Sequence, residues 1–206
     1  YIPMKPIQST VLILCCIANL FVIQARAEQK TAEEVAKSDR PLIQIAILLD
    51  TSTSMEGLLN QARTRMWELV NESTTARRDG KKPRLEVALY EYGSGGFRHL
   101  RQVKPLSDDL DGLSEELFRL NLRYPSATTE HPSPGGAEHC GEVMKRALDE
   151  LDWSENRYDV KVAFIAGNEE FTQGPVNYMD ACKQAAGKGV VLNTIFCGDW
   201  QTGVDL

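Results

Sequence analysis

The sequence predicts an α/β fold: a doubly wound, Rossmann-like, mostly parallel sheet with helices on both faces. Nearly continuous apolar runs, which are typical of strands covered on both sides, alternate with segments of helical periodicity. Right-handed crossovers leave few arrangements for such an alternation other than a parallel sheet between helices. The 206 residues, 42% of them hydrophobic and 25% charged, fit one globular domain.

The first half of the fold is predicted element by element. A strand is expected at 41–50, because PLIQIAILLD is almost entirely apolar. Residues 55–71 place apolar side chains three and four positions apart, which predicts a helix lying on the sheet. LEVALYEYG at 85–93 predicts a second strand, and FRHLRQV at 97–103 follows a glycine-rich turn as an antiparallel edge strand. Ser107 is a good N-cap for the next helix, whose acidic first turn suits the helix dipole.

The second half repeats the alternation. Residues 124–136 are rich in Pro, Ser, Thr and Gly without a period, which predicts a loop. A helix is expected at 141–153, where the apolar side chains share one face. YDVKVAFIAG at 158–167 predicts a buried strand, 177–188 a further helix, and GVVLNTIFCG at 189–198 the next strand.

The first 27 residues are predicted to be a signal peptide rather than part of the fold. Lys5 provides a positive start after Met4, an apolar run follows, and the small residues that end at Ala27 are spaced for cleavage. Residues 1–3 precede Met4, which is a candidate initiator. The apolar run is shorter than the roughly 20 residues of a spanning helix, so we expect no stable membrane span after cleavage and a secreted or periplasmic protein.

The remaining chain divides into a linker and one domain. Residues 28–40 are charged and poor in large apolar side chains, which is typical of a linker. Residues 41–206 form the predicted domain, and we expect it to be incomplete at its end, because a doubly wound domain normally closes with another helix and often another strand. The net charge of -6, with Lys and Arg scattered, excludes the basic surface that nucleic-acid binding requires.

Three cysteines would face an oxidising compartment after export. An odd number permits one disulfide and a free thiol, or no disulfide, and the sequence does not choose between these possibilities. Cys140 and Cys197 are both expected near the carboxyl ends of the strands, which makes a disulfide between them one option. Cys182 lies on the apolar side of its predicted helix, where it would serve as a small buried hydrophobic residue.

A group of polar side chains follows the first predicted strand. In LLDTSTSMEG, residues Asp50, Ser52 and Ser54 alternate where the strand ends. Ligands of open α/β sheets bind beyond the carboxyl ends of the strands, near the point where strand order reverses. One carboxylate and two hydroxyls form an all-oxygen set suited to Mg²⁺, or to Mn²⁺ or Ca²⁺. The alternative is a capping turn, in which the hydroxyls bind free amides of the next helix.

This arrangement resembles the von Willebrand factor type A (VWA) domain, in particular the functionally uncharacterised secreted bacterial members. The metal-ion-dependent adhesion site (MIDAS) of that family opens with Asp-x-Ser-x-Ser after the first strand, as DTSTS does here, and the resemblance extends from about Pro41 to the end of the chain. The resemblance implies binding of a protein or peptide partner, with an acidic side chain of the partner completing the coordination of the cation.

Two other elements of the family pattern differ in this sequence. The family has a threonine in a loop before a middle helix, where GGAEHCGE places Glu138 or Ala137. It also has an aspartate after a later strand, where this chain has Gly167 or Asn168, followed by Glu169. The candidate metal ligands are therefore Asp50, Ser52, Ser54, Glu138, Asn168 and Glu169. An added glutamate should hold the cation more tightly and weaken its attraction for an outside carboxylate, which defines an altered site.

Other classes of function remain as alternatives. A scaffold or assembly domain with a degenerate site would use its surfaces without a metal. A hydrolase with Asp50 as nucleophile would want a second aspartate where Ser52 stands, and neither a Gly-x-Ser-x-Gly elbow nor a Walker loop occurs. We therefore expect no enzyme. Zinc is disfavoured, because His131, His139 and Cys140 lack a partner at zinc-ligand spacing.

Overall fold

The computed structural model describes residues 40–93, 100–122, 139–168 and 170–198. The described residues from Pro41 onward belong to one compact unit. The predicted signal peptide, nearly all of the predicted linker, the predicted loop at 124–136 and the candidate ligands Glu138 and Glu169 lie outside the described residues.

The described strands form one sheet. Their order is β3-β2-β1-β4-β5, with β1 and β2, β1 and β4, and β4 and β5 parallel, while β3 runs antiparallel to β2 at the edge. The predicted mostly parallel, doubly wound sheet is confirmed. The strand bounds are Leu42–Asp50 (β1), Arg84–Tyr92 (β2), Arg101–Ser107 (β3), Val160–Gly167 (β4) and Val191–Phe196 (β5).

Helices cover both faces of the sheet. A short 3-10 turn at Thr53–Met55 precedes the helices, whose bounds are Leu59–Thr75 (α1), Leu110–Arg119 (α2), Cys140–Glu150 (α3) and Tyr178–Lys188 (α4). The apolar sides of α1 and α2 pack on one face of the sheet, and those of α3 and α4 pack on the other. Each helix therefore buries its apolar face against strand side chains.

The central strand β1 explains the apolar run at the start of the domain. Ala46 and Leu48 point into the layer of α3 and α4, whereas Ile45, Ile47 and Leu49 point into the layer of α1 and α2. Because alternate side chains enter two separate cores, the five positions 45–49 are all apolar. The run ends at Asp50, the first carboxylate of the strand.

The order of the strands reverses beside β1. The chain proceeds from β1 to β2 and β3 on one side, and then returns to place β4 on the other side of β1. Leu49 pairs with Ala166, so the carboxyl ends of β1 and β4 lie at the same height. Asp50 and Gly167 therefore meet at the crevice where such folds bind ligands.

Several predicted boundaries are wrong. The edge strand lies at Arg101–Ser107 rather than 97–103, and it continues through Pro105, which is tolerated there because no other described strand pairs with the outer side of β3. Ser107 ends that strand, and Asp109 caps α2, since its carboxylate accepts a hydrogen bond of 3.0 Å from the Gly112 amide. The helix predicted from Met55 begins at Leu59, after Gly57 interrupts the helical path with a φ of 80°.

The candidate disulfide is also wrong. No disulfide joins any two of Cys140, Cys182 and Cys197. Cys140 lies in the core beneath α3 and α4, while Cys197 packs against the core on the opposite face, so the sheet separates the two sulfurs. Cys182 is only partly buried, because Ala181 and Ala185 are the residues of α4 that enter the core.

We expect the central strand to dominate the stability of the fold. Ile47 is 1% exposed, and the substitution Ile47→Ala should lower the free energy of unfolding by about 2–5 kcal/mol, because it removes buried methylene groups and leaves a cavity. Urea denaturation followed by circular dichroism measures this loss. The control is Val191→Ala on β5, where 58% of the residue is exposed and a change within about 0.5 kcal/mol is expected. Equal losses in the two variants would contradict the assignment of β1 as the buried centre of the sheet.

Candidate metal site at the ends of β1 and β4

Asp50 occupies the end of the central strand and is fully buried. Its Oδ1 atom accepts a hydrogen bond of 2.7 Å from the backbone amide of Ser52. This contact between a side chain and the amide two residues later is the Asx turn by which aspartate redirects a chain. The strand therefore ends at Asp50, and the following residues turn across the edge of the sheet.

Ser52, Ser54 and Asn168 converge beside this carboxylate. The hydroxyl oxygens of Ser52 and Ser54 lie 2.8 Å apart, and the Ser54 hydroxyl donates to Oδ1 of Asn168 over 3.1 Å. The Asn168 amide nitrogen in turn lies 3.4 Å from the Ser54 carbonyl oxygen. Ser52 is buried, Ser54 is exposed and Asn168 is partly buried, so the group opens to solvent on one side.

The four described candidate ligands suit a small hard cation. Mg²⁺ binds oxygens at 2.0–2.1 Å in an octahedron, which places neighbouring ligands about 2.8–3.0 Å apart, whereas the longer bonds of Ca²⁺ require about 3.3–3.7 Å. The separations of 2.8 and 3.1 Å are close to the magnesium geometry. The same distances are also those of ordinary hydrogen bonds, which the Ser52, Ser54 and Asn168 side chains make with one another.

Two glycines enclose Asp50. Gly93 follows β2 with a φ of 132°, and a Cβ atom there would lie 2.7 Å from both Oδ1 of Asp50 and the Ser52 amide nitrogen. A Cβ atom on Gly167, the last residue of β4, would collide with the Tyr92 hydroxyl and lie 3.2 Å from Oδ2 of Asp50. A residue larger than glycine at either position would therefore intrude into the space that the carboxylate occupies.

Tyr92 supports the floor of the site, and the sequence reading missed it. Its hydroxyl donates to the Ala166 carbonyl oxygen over 3.2 Å, so the side chain reaches from β2 past the end of β1 to β4. The buried Cys140 thiol lies 3.8 Å from the same hydroxyl. Two glycines in the sequence could have indicated this arrangement: Gly93, which follows Tyr92 at the end of β2, and Gly167, which ends β4.

Cys197, which directly follows β5, borders the site. Its amide donates to the Gly167 carbonyl oxygen over 2.8 Å, which continues the pairing of β4 with β5. Burial raises the pKa of the Cys197 thiol, and the negative charge of Asp50 raises it further. The thiol is therefore kept in its protonated form beside the carboxylate.

Within the described part of the chain, no three His, Cys, Asp or Glu side chains come together in a way that could hold a metal. The candidate site instead combines one carboxylate with hydroxyl and amide oxygens. That composition is typical of magnesium sites and differs from the thiolate and imidazole sets that zinc prefers.

No family model and no curated protein matches this sequence. Solved structures do match. The VWA domain of SpRpn10 is 14% identical with a TM-score of 0.53, and the match covers 79% of each chain. The conserved hypothetical protein BatB from Bacteroides thetaiotaomicron is 18% identical with a TM-score of 0.53, and the match covers 75% of this chain and 66% of that one.

The chain has the von Willebrand type A fold. A further match is proximal thread matrix protein 1 from the mussel byssus, in a structure described as having a zinc-occupied MIDAS motif, at 15% identity and a TM-score of 0.54. This chain covers 38% of the mussel protein and just under two thirds of BatB. At these identities the likeness concerns the VWA fold, which is the fold that the resemblance of DTSTS implies.

None of the helices in the described part of the chain has the length and apolar character needed to cross a bilayer.

The glycines around Asp50 should tolerate no side chain. Gly93→Ala and Gly167→Ala should each lower the free energy of unfolding by about 1–3 kcal/mol, because the added methyl group meets Asp50, Ser52 or Tyr92. Urea denaturation provides the measurement. Gly187→Ala in α4 is the matched control, since nothing lies within 4 Å of its Cβ position, and there alanine should stabilise by about 0.5–1 kcal/mol. Unchanged stability of both site variants would show that the enclosure is looser than described.

The charge of Asp50 should be detectable at Cys197. Asp50→Asn removes one of the two causes that raise the pKa of this thiol, so the pH midpoint of its alkylation should move lower. The rate of iodoacetamide modification as a function of pH, resolved by peptide mass spectrometry, measures the shift. Cys182 on α4 serves as the internal control, and a midpoint that is the same in both proteins would refute the electrostatic contact.

Proposed function

We propose that this chain is a protein-binding module whose VWA domain holds a divalent cation, Mg²⁺ in the first place, at Asp50, Ser52, Ser54 and Asn168. The observation that supports the proposal is the contact of the Ser52, Ser54 and Asn168 side-chain oxygens with one another, next to the end of β1, where the Asp50 carboxylate accepts a hydrogen bond from the Ser52 amide. They meet at the switch point of the sheet, where this class of fold binds ligands.

The ligand charges suggest how a partner would bind. Asp50 would supply one negative charge, and Ser52, Ser54 and Asn168 would supply neutral oxygens. A bound divalent cation would provide Lewis acidity and a net positive charge toward solvent. Because Ser54 is exposed, an acidic side chain of a protein or peptide partner could approach from that direction.

The residues Glu138 and Glu169, which lie outside the described part of the chain, define the altered form of the proposal. A carboxylate from Glu138 would neutralise the remaining charge of the cation, hold it more tightly and compete with an outside acid. In that form the module would bind metal well and an acidic partner weakly.

The cellular location and the role of the module are proposed from the sequence and from similar solved structures. One match is the pilus adhesin SpaC from Lactobacillus rhamnosus GG, at 12% identity and a TM-score of 0.53, of which this chain covers 24%. An adhesion or assembly role outside the cytoplasm, after removal of residues 1–27, would agree with the predicted signal sequence. We propose no catalytic role, and a phosphatase assay of the chain beside Asp50→Ala would expose one.

A metal-independent scaffold is the second candidate. The specific observation in its favour is that Ser52, Ser54 and Asn168 already satisfy one another by hydrogen bonds. In this alternative the DTSTS turn is a rigid corner, and the partner surface lies on loops or helices that need no ion.

Calorimetric titration of the chain with Mg²⁺ and Mn²⁺ distinguishes the candidates. We expect one binding event that disappears in Asp50→Ala, because the only charged ligand among the described residues is lost. Ser52→Ala and Ser54→Ala should each weaken binding by about tenfold, equivalent to about 1.4 kcal/mol. Glu138→Thr should weaken it as well if the altered form is correct.

Asp109→Asn is the matched control for the loss of a carboxylate. Asp109 caps α2, pairs with Lys104 at 2.7 Å and leaves 57% of its side chain exposed. Its substitution should leave cation binding unchanged. Absence of binding in the folded wild-type chain would reject the metal proposal and favour the scaffold, while unchanged affinity in Glu138→Thr would reject only the altered form.

A further inference from the structure

The geometry points to Glu91 and Thr51 as positioning residues for the metal site, a role that rests on the proposed function above. Glu91 lies on β2 and is 1% exposed, yet its carboxylate takes no part in the candidate ligand set. Thr51, between Asp50 and Ser52, is also 1% exposed. Two buried polar side chains at the edge of a site require a structural reason, because burial without partners is unfavourable.

Thr51 attaches the turn after β1 to the neighbouring strand. Its hydroxyl donates to Oε1 of Glu91 over 3.0 Å and lies 3.3 Å from the Tyr92 carbonyl oxygen. Its amide donates to the same carbonyl over 2.9 Å. Both the backbone and the side chain of this residue are thus fixed to β2, whereas Ser52 is fixed to Asp50.

Arg101 forms an ion pair with the same Glu91 carboxylate that accepts the hydrogen bond from Thr51. The Nε atom of Arg101 on β3 lies 2.7 Å from Oε2 of Glu91, and the two residues are paired across the strands. Glu91 therefore presents one oxygen to each partner, and the ion pair offsets the burial of its charge. The Arg101 side chain remains about half exposed, so the network reaches from solvent at β3 through β2 to the turn of the site.

The location of these contacts distinguishes positioning from ordinary core packing. Thr51 lies between two candidate ligands, so rotation of its backbone would move the Asp50 carboxylate and the Ser52 hydroxyl relative to each other. Metal ligands depend on such supporting contacts for their orientation, and losing one typically costs about 10- to 100-fold in metal affinity. Thr51 and Glu91 thus set the relative position of the candidate ligands Asp50 and Ser52, although neither of them is itself a candidate ligand.

The test uses the full chain and two readouts. Amide hydrogen exchange of the metal-free protein reports the order of the turn at Thr51 and Ser52, and calorimetry with Mg²⁺ reports affinity. Thr51→Val replaces the hydroxyl with a methyl group of similar size and should speed exchange of the Ser52 amide by about tenfold, with a similar loss of affinity. Thr51→Ser keeps the hydroxyl and should restore both to within about twofold. Glu91→Gln keeps an acceptor but loses the ion pair, and should have a smaller effect in the same direction.

Glu86→Gln is the matched control. Glu86 lies at the opposite end of β2, forms an ion pair with Arg84 and accepts from the Gln44 side chain over 2.9 Å. Its loss should change neither the exchange of the Ser52 amide nor the affinity for Mg²⁺. Exchange at amides of α4 corrects for any general loss of stability.

The outcomes separate the two proposals. If Thr51→Val and Glu91→Gln leave exchange at Ser52 unchanged relative to α4, the positioning role is overturned, whether or not metal binds. If the wild-type chain binds no Mg²⁺ but both variants loosen the turn, the metal proposal fails and the positioning of the turn stands. Loosening together with unchanged Mg²⁺ affinity in a binding wild-type chain would overturn the link between the turn and the site.

Discussion

A buried carboxylate at the end of a central strand is the constraint on which the rest of the structure depends. Asp50 is removed from solvent and lies where strand order reverses. A carboxylate in such a place is unfavourable unless surrounding groups compensate for the lost hydration. The Ser52 amide provides one contact, and Gly93 and Gly167 leave the room that the carboxylate occupies. Much of the polar structure at this end of the sheet can be understood as accommodating that charge.

The two layers of the domain contribute to the site in different ways. On the side of α3 and α4, Tyr92 reaches from β2 to β4 and closes the floor beneath the end of β1. Toward β2 and β3, Glu91 and Arg101 anchor the turn through Thr51. The oxygens of the candidate ligands lie between these supports. This division places rigid hydrogen bonds below the site and leaves the side of Ser54 open to solvent, as binding of a partner would require.

The cation hypothesis and the scaffold hypothesis interpret the same hydrogen bonds in different ways. Ser52, Ser54 and Asn168 are close enough to one another either to surround a small cation or to satisfy one another without it. Mg²⁺ demands near-ideal octahedral positions and gives up its water reluctantly, so preorganised oxygens favour binding only if the cost of breaking their mutual hydrogen bonds is small. The likeness to VWA structures concerns the fold, and function depends on the site that the fold presents.

The sequence by itself determined the fold class and the position of the motif. The apolar run before Asp50 predicted a strand covered on both faces, and the alternation of strands and helices predicted a mostly parallel sheet, because these signals depend on local periodicity. The ends of the segments were less well determined by the sequence. Pro105 is tolerated in β3 because that strand is at the edge of the described sheet, and the N-cap of α2 is Asp109 rather than Ser107. Only the tertiary structure decided which residues meet across strands. The separation of Cys140 from Cys197 by the sheet and the convergence of distant side chains at Asp50 depend on strand order and register, which no local pattern in the sequence records.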